Sequence, residues 1–158
     1  MNGRIDTISK WIPFSPKAIY DSFLDPRRLE NWLAPEGMSA QVDVFDPQAG
    51  GLYRIVLTYE DESVTGKTSN HTDVSHGRFV ELETNQKIVM SGTFETDIPI
   101  FSGEMVQTWY FEEIDKGTNV TIVCENVPSG IRKEDHLNGL GATLDQLLSF
   151  LQDNNRDK

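Results

Sequence analysis

Three adjacent residues near the start of the C-terminal segment have side chains that can carry charge or exchange protons. Glu134, Asp135 and His136 follow one another, and an imidazole ordinarily titrates near neutral pH. Carboxylates in the first turn of a helix are stabilised by the positive end of the helix dipole, so capping explains the two acids. His136 is then either one more residue of that turn or a proton carrier that faces the interior. The sequence leaves both roles open.

A second group, His71, Asp73 and His76, offers nitrogen and oxygen atoms of the kind that bind metal ions. Alternate side chains of a strand share a face, so His71 and Asp73 lie together while His76 points to the other side. All three converge only if the strand bends or bulges. We therefore predict polar residues at the mouth of a loop, with no metal site and no cofactor.

The tripeptide Gly66-Lys67-Thr68 is similar to the end of a phosphate-binding loop. That pattern also requires a glycine five positions before Gly66, where this chain has Asp61. The neighbouring carboxylates of residues 60–62 would repel a phosphate. We predict a flexible polar hairpin loop here instead, and the spacing of the chain indicates no catalytic triad.

Alternation of apolar and polar residues along two predicted strands indicates a shared inner face. The clearest example is Leu52 to Glu60, whose opposite face carries Arg54 and Thr58. A buried amide must be paired, so Gln107 bonds either to a neighbouring side chain or to a polar atom of a ligand. The aromatic residues either fill the core or stack on a flat ligand. The residues expected to face inward are Tyr53, Ile55, Leu57, Tyr59, Met105, Gln107, Trp109 and Phe111.

A long helix is predicted from Leu137 to Leu151, because leucines recur there with a spacing of three and four residues. Gly139 and Gly141 each cost about 1 kcal/mol relative to alanine in such a helix. Close approach to other backbone, room for a ligand, or chance would each account for them. The leucines of this face are Leu137, Leu140, Leu144, Leu147, Leu148 and Leu151.

The elements before this helix form a consistent order. Arg4 to Ile12 is predicted to be an outer strand, and Ser15-Pro16 and Asp25-Pro26 are capping signals for two short helices. Gly50-Gly51 and Lys116-Gly117 are turn signals between strands. Closely spaced strands without intervening helices exclude a doubly wound parallel fold, so we predict one α+β domain over residues 1–158. The later strands are predicted at Val42 to Phe45, Leu52 to Glu60, His76 to Leu82, Lys87 to Phe94, Glu104 to Ile114 and Asn119 to Glu125.

The composition of the chain predicts which classes of partner it does not bind. The formal net charge of −11 repels nucleic acids and anionic membranes, so we predict neither as a partner. No apolar stretch approaches the roughly 20 residues of a membrane span, and the N-terminus has no signal-like run, which predicts a cytoplasmic location. Cys124 is the single cysteine, so it has no partner for an intrachain disulfide and is predicted to lie in the core.

Five segments of the chain are similar to segments of known domains: Pro16 to Trp32, Gly50 to Tyr53, Gly77 to Leu82, Cys124 to Arg132 and Glu134 to His136. Together with the order of strand, two short helices, six strands and long helix, they resemble the helix-grip domains of the START-like superfamily. More narrowly, the chain is similar to the bacterial branch related to the C-terminal domain of the activator of Hsp90 ATPase. One departure is that many relatives carry Gly-Trp early in the last helix, where this chain has Gly139-Leu140.

This resemblance implies an elongated cavity between a curved antiparallel sheet of six or seven strands and the last helix. We predict that it binds a small apolar or aromatic molecule, with Leu140 and Leu144 on the helical wall and extra room beside Leu140. Two alternatives stay open. One is a cyclase or aromatase in which Gln107, His136 or Tyr59 handles protons, and the other is a chaperone-associated module. The sequence does not decide whether the domain forms a homodimer.

Overall fold

A computed structural model describes residues 3–35, 37–61, 63, 66 and 71–156. It contains two short helices, α1 at Pro16–Leu24 and α2 at Pro26–Leu29, and a long helix α3 at Lys133–Arg156. A short 3-10 turn lies at Pro99–Phe101. The strands are β1 Arg4–Ile12, β2 Met38–Phe45, β3 Leu52–Tyr59, β4 Thr72–Glu83, β5 Lys87–Phe94, β6 Met105–Ile114 and β7 Gly117–Val127.

The seven strands form one antiparallel sheet in the order β1-β7-β6-β5-β4-β3-β2. Each strand from β2 to β7 pairs with its neighbour in sequence, and β1 joins the far edge beside β7. The sheet curves, and α3 packs on its inner face, chiefly against β1. The α+β helix-grip fold is therefore confirmed. No helix in the described part of the chain is both long and apolar enough to cross a membrane.

Both short helices begin where the capping signals predict. The Ser15 hydroxyl accepts a hydrogen bond from the Ala18 backbone N–H at 3.1 Å, and the Asp25 carboxylate accepts one from the Arg27 N–H at 2.9 Å. A proline occupies the first helical position after each cap. It lacks an N–H, and the first helical turn has no acceptor for one. These starts are predictable because they depend on residues within one turn of each other.

Several elements are longer than the apolar pattern indicates. Helix α3 starts at Lys133, four residues before Leu137, and runs on to Arg156. Strand β4 starts at Thr72 rather than His76. Hydrophobic periodicity marks the buried part of an element, whereas backbone hydrogen bonds extend beyond it into polar residues.

The turn between β6 and β7 lies one residue earlier than its sequence signal. Asp115 and Lys116 adopt φ values of 51° and 63° and form the turn, while Gly117 already pairs with Ile114 in the strand ladder. A Cβ atom on Gly117 would lie 2.6 Å from the Ile12 carbonyl oxygen. The glycine is therefore required by close packing against β1 and not by the turn.

The core between α3 and the sheet is apolar and rich in aromatic rings. Leu144, Leu147 and Leu151 are buried on α3. Phe23 and Trp32 meet Trp109 of β6 edge-on, with ring centroids 5.1 and 5.7 Å away. No buried side-chain nitrogen or oxygen of the described residues lacks a hydrogen-bond partner. This core thus fixes the positions of the helices relative to the sheet.

Candidate functional site

A cavity of about 680 Å³ lies between the inner face of the sheet and α3. Strands β3 to β6 line one side, and the first turns of α3 line the other. The walls are mostly apolar, and their polar groups include Gln107, Tyr59, Asp73 and His136. Small-molecule sites commonly combine an apolar concave surface with a few polar groups that orient the ligand.

Eight of the ten predicted ligand-binding residues lie on the wall of this cavity. Their shared inner face follows from the period of two along β3 and β6 and from the helical spacing of α3. Their role toward a ligand stays a prediction. The eight residues are Tyr53, Ile55, Leu57, Tyr59, Met105, Gln107, Trp109 and Leu140.

Phe111 and Leu144 face inward but are not among the cavity-lining residues. Phe111 lies two residues beyond Trp109, where α1 covers the sheet, and its ring meets Tyr20 edge-on at 6.1 Å. Leu144 lies one turn beyond Leu140 and is 1% exposed, inside the packed core. Alternation identifies the face of a strand or helix but not the position along it at which packing gives way to a cavity.

The amide of Gln107 is oriented by neighbouring side chains. Its oxygen accepts a hydrogen bond from Trp109 Nε1 at 2.7 Å, and its nitrogen donates to Cys124 Sγ at 3.4 Å. Pairing with neighbours, one of the two predicted alternatives, is therefore confirmed. Burial raises the pKa of the Cys124 thiol to about 11, so this cysteine is a neutral core residue, as predicted. A fixed amide on the cavity wall can still orient a polar atom of a ligand.

Two tyrosine hydroxyls on the wall already donate hydrogen bonds. Tyr53 donates to the Ser91 carbonyl oxygen at 3.3 Å, and Tyr59 donates to the Asp73 carboxylate at 3.3 Å. Burial raises the pKa of both to about 12, and the charge of Asp73 contributes at Tyr59. A hydroxyl in this state is a poor proton carrier near neutral pH. This counts against the role that an aromatase-type mechanism would give to Tyr59.

Asp73 and His76 of β4 lie on opposite faces of the sheet. Asp73 faces the cavity, whereas His76 lies on the outer face with its Nδ1 atom 3.1 Å from Glu95. This agrees with the strand geometry predicted for the two residues. Within the described ranges, no group of three histidine, cysteine or acidic residues is arranged to hold a metal ion. In Gly66-Lys67-Thr68, Gly66 lines the cavity, while Lys67 and Thr68 lie outside the described residues.

Sequence reasoning missed Asp6, which joins His136 to the sheet. The Nδ1 atom of His136 lies 2.7 Å from Asp6 Oδ2, and Asp6 is fully buried. Arg4 donates to both carboxylate oxygens at 3.0 and 3.1 Å. The available signal was that Asp6 occurs in phase with Ile8 and Ile12 along β1, so an acid occupies a position on the inner face.

Sequence reasoning also missed the segment at one side of the cavity. Ile98 and Phe101 line the cavity at the ends of the Pro99–Phe101 turn, and Ile98 is 46% exposed. The Ile100 carbonyl accepts a hydrogen bond from the Gly130 N–H at 2.6 Å, which ties this turn to the loop before α3. The turn lies between two strands without periodicity of its own, so the pattern gave no reason to place it at the site.

The two helix glycines occupy different environments. A Cβ atom on Gly139 would have Pro35 Cγ as its nearest neighbour, at 4.0 Å, and Gly139 lines the cavity. A Cβ atom on Gly141 would lie 3.4 Å from Ile8 Cδ1, in contact with β1. Gly139 therefore leaves open space on the helical wall, and Gly141 lies at a packed contact.

We expect Gly139→Ala to raise the free energy of unfolding by about 0.5 to 1 kcal/mol, because alanine has the higher helix propensity and its methyl group meets open space. Gly141→Ala should gain less, since its methyl group meets Ile8. Urea unfolding followed by circular dichroism measures both. A destabilised Gly139→Ala variant would contradict the open environment of this residue.

Comparison with known proteins finds similar folds over nearly the whole chain. The model of the family described as "Activator of Hsp90 ATPase homolog 1-like protein" matches residues 13–152. The crystal structure of protein CV1439 from Chromobacterium violaceum is 26% identical, with a TM-score of 0.82 over 93% of this chain and 96% of that chain. The AHSA1 protein from Silicibacter pomeroyi is 15% identical and shows the fold alone, with a TM-score of 0.77 over 94% and 98%. A comparison with curated proteins found no match.

Proposed function

The chain belongs to the activator of Hsp90 ATPase homolog 1-like family of the START-like superfamily, and from that premise we propose that it is a binding protein for a small apolar or aromatic molecule. The observation that carries this proposal is the cavity of about 680 Å³ with mostly apolar walls. The ligand would lie between the sheet and α3. Binding would come from apolar burial, and a few fixed polar groups would orient the ligand.

The free energies of apolar burial and of association support a measurable affinity for such a ligand. Burial of about 400 Å² of apolar ligand surface contributes about 10 kcal/mol, and association costs about 4 kcal/mol. The remaining 6 kcal/mol corresponds to a Kd of about 40 micromolar. The aromatic ring of Tyr59 on the wall favours a ligand with flat rings.

A fluorescent apolar probe tests the proposal. N-phenyl-1-naphthylamine is neutral and carries fused rings, and its emission rises when it leaves water. We expect saturable binding to the intact chain with a Kd in the tens of micromolar range. No saturable signal up to the solubility limit of the probe would refute a binding cavity of this kind.

We expect Leu140→Trp to weaken binding of this probe about tenfold, because the larger ring occupies space that Leu140 leaves open. Ser149→Trp is the matched control, since Ser149 is exposed on the same helix and does not line the cavity. Equal affinities for both variants and the unmodified protein would show that the probe binds elsewhere.

A further inference from the structure

The side chain of His136 is fixed by a buried charged partner. Burial alone would raise the pKa of Asp6, but the hydrogen bonds to His136 and Arg4 hold it below its ordinary value. The carboxylate is therefore ionised and can only accept hydrogen bonds. It follows that His136 Nδ1, 2.7 Å from Asp6 Oδ2, carries a hydrogen atom. A carboxylate that accepts from one ring nitrogen fixes the tautomer and the ring orientation.

The other ring nitrogen of His136, Nε2, is unpaired among the described residues. None of their fully buried side-chain nitrogens is without a partner. Nε2 is therefore accessible, and His136 is one of the cavity-lining residues. His136 therefore contributes an imidazole of fixed orientation to a cavity wall that is otherwise mostly apolar.

Building on the binding function proposed above, we infer that the ligand carries one acidic group, a carboxylic acid or an acidic enol or phenol, which pairs as the anion with the imidazolium of His136. When the ligand arrives as the acid, its O–H bond breaks, the proton forms a bond to Nε2, and nothing is oxidised or reduced. When the ligand arrives as the anion, solvent supplies that proton.

The charges around His136 make this pairing favourable. Arg4, Asp6, imidazolium and ligand anion alternate in sign and sum to zero, so the neutral acid brings no net charge into the cluster. Arg132 also lines the cavity, and its guanidinium lies 3.7 Å from the carboxylate of Glu134. Three further groups on the wall disfavour an anion, since Asp73 and Asp135 are acidic and the Tyr59 hydroxyl already donates its hydrogen bond to Asp73. The acidic group is therefore expected at His136, on the side held by β1.

Two probes that differ by one charged group test the inference. The apolar probe N-phenyl-1-naphthylamine and its sulfonated analogue 1-anilinonaphthalene-8-sulfonate share their rings, and the sulfonate stays anionic throughout the pH range 5.5 to 8.5. We expect the sulfonate to bind the intact chain about tenfold more tightly at pH 5.5 than at pH 8.5, because only the imidazolium donates from Nε2 with a full charge. Binding of the neutral probe should stay constant.

The substitution His136→Gln should weaken sulfonate binding at pH 5.5 about tenfold and abolish its pH dependence. His76→Gln is the matched control, since His76 lies on the outer face beside Glu95, and it should leave both probes unchanged. If His136→Gln does not fold, a ¹⁵N NMR titration of the unmodified protein tests the inference instead. The ring nitrogens of His136 report its protonation, and sulfonate binding must favour the protonated ring.

The outcomes separate the inference from the proposed function. Failure of the neutral probe to bind would refute the binding cavity itself. Normal binding of the neutral probe, together with sulfonate binding that ignores pH or survives His136→Gln unchanged, would overturn the acidic-ligand inference and leave the binding function standing.

Discussion

Replacement of Trp109 by alanine is expected to lower the free energy of unfolding by about 4 kcal/mol. The indole is 1% exposed, and it contacts the rings of Phe23 and Trp32. Its removal loses the apolar burial of the largest side chain, breaks two edge-on ring contacts and leaves a void that the rigid sheet cannot close. Urea unfolding followed by far-ultraviolet circular dichroism measures the change independently of tryptophan fluorescence.

The matched variant Trp109→Phe separates ring packing from hydrogen bonding. Phenylalanine keeps an aromatic ring against Phe23 but cannot donate to Gln107, whose amide oxygen accepts from the indole N–H at 2.7 Å. We expect a loss of about 1 to 2 kcal/mol. A loss as large as that of the alanine variant would mean that the oriented amide of Gln107, rather than the packed ring, stabilises this part of the core.

Local chemistry made much of the fold predictable. The Ser15 cap depends on a residue three positions away, and the Asp25 cap depends on one two positions away. The paired strands of the sheet are mostly neighbours in sequence. The leucine spacing of α3 identified its buried face, although not its first turn. These features are specified within short windows of the chain, where period and capping preferences operate.

The site was less predictable because it depends on contacts that sequence spacing does not report. Asp6 and His136 are 130 positions apart, and β1 comes close to the start of α3 only once the edge strand has paired with β7. Period alone also could not separate Gln107 on the cavity wall from Phe111 under α1. That distinction depends on where α1 ends over the curved sheet.

The second large effect is expected at Asp6. We predict that Asp6→Asn lowers the free energy of unfolding by about 3 kcal/mol at pH 7, because Arg4 and His136 lose the buried charge to which both donate. Asparagine keeps the size of the side chain, so the change isolates charge from packing. Urea unfolding of both proteins measures the difference. Asp21→Asn is the control, since the exposed pair of Asp21 with Lys17 should contribute less than about 0.5 kcal/mol.

The same difference should depend on pH with a defined sign. The pKa of Asp6 in the folded protein lies below the ordinary value of 3.8, so its contribution is complete above that pH and is lost as the pH falls through the folded-state pKa. The two proteins should therefore differ fully at pH 5 and 7 and converge below about pH 3.8. A difference under about 1 kcal/mol at pH 7 would contradict a buried ionised carboxylate. Such a result would also mean that His136 has no fixed partner to orient it toward the cavity, because an imidazole without an anionic acceptor has no preferred tautomer there.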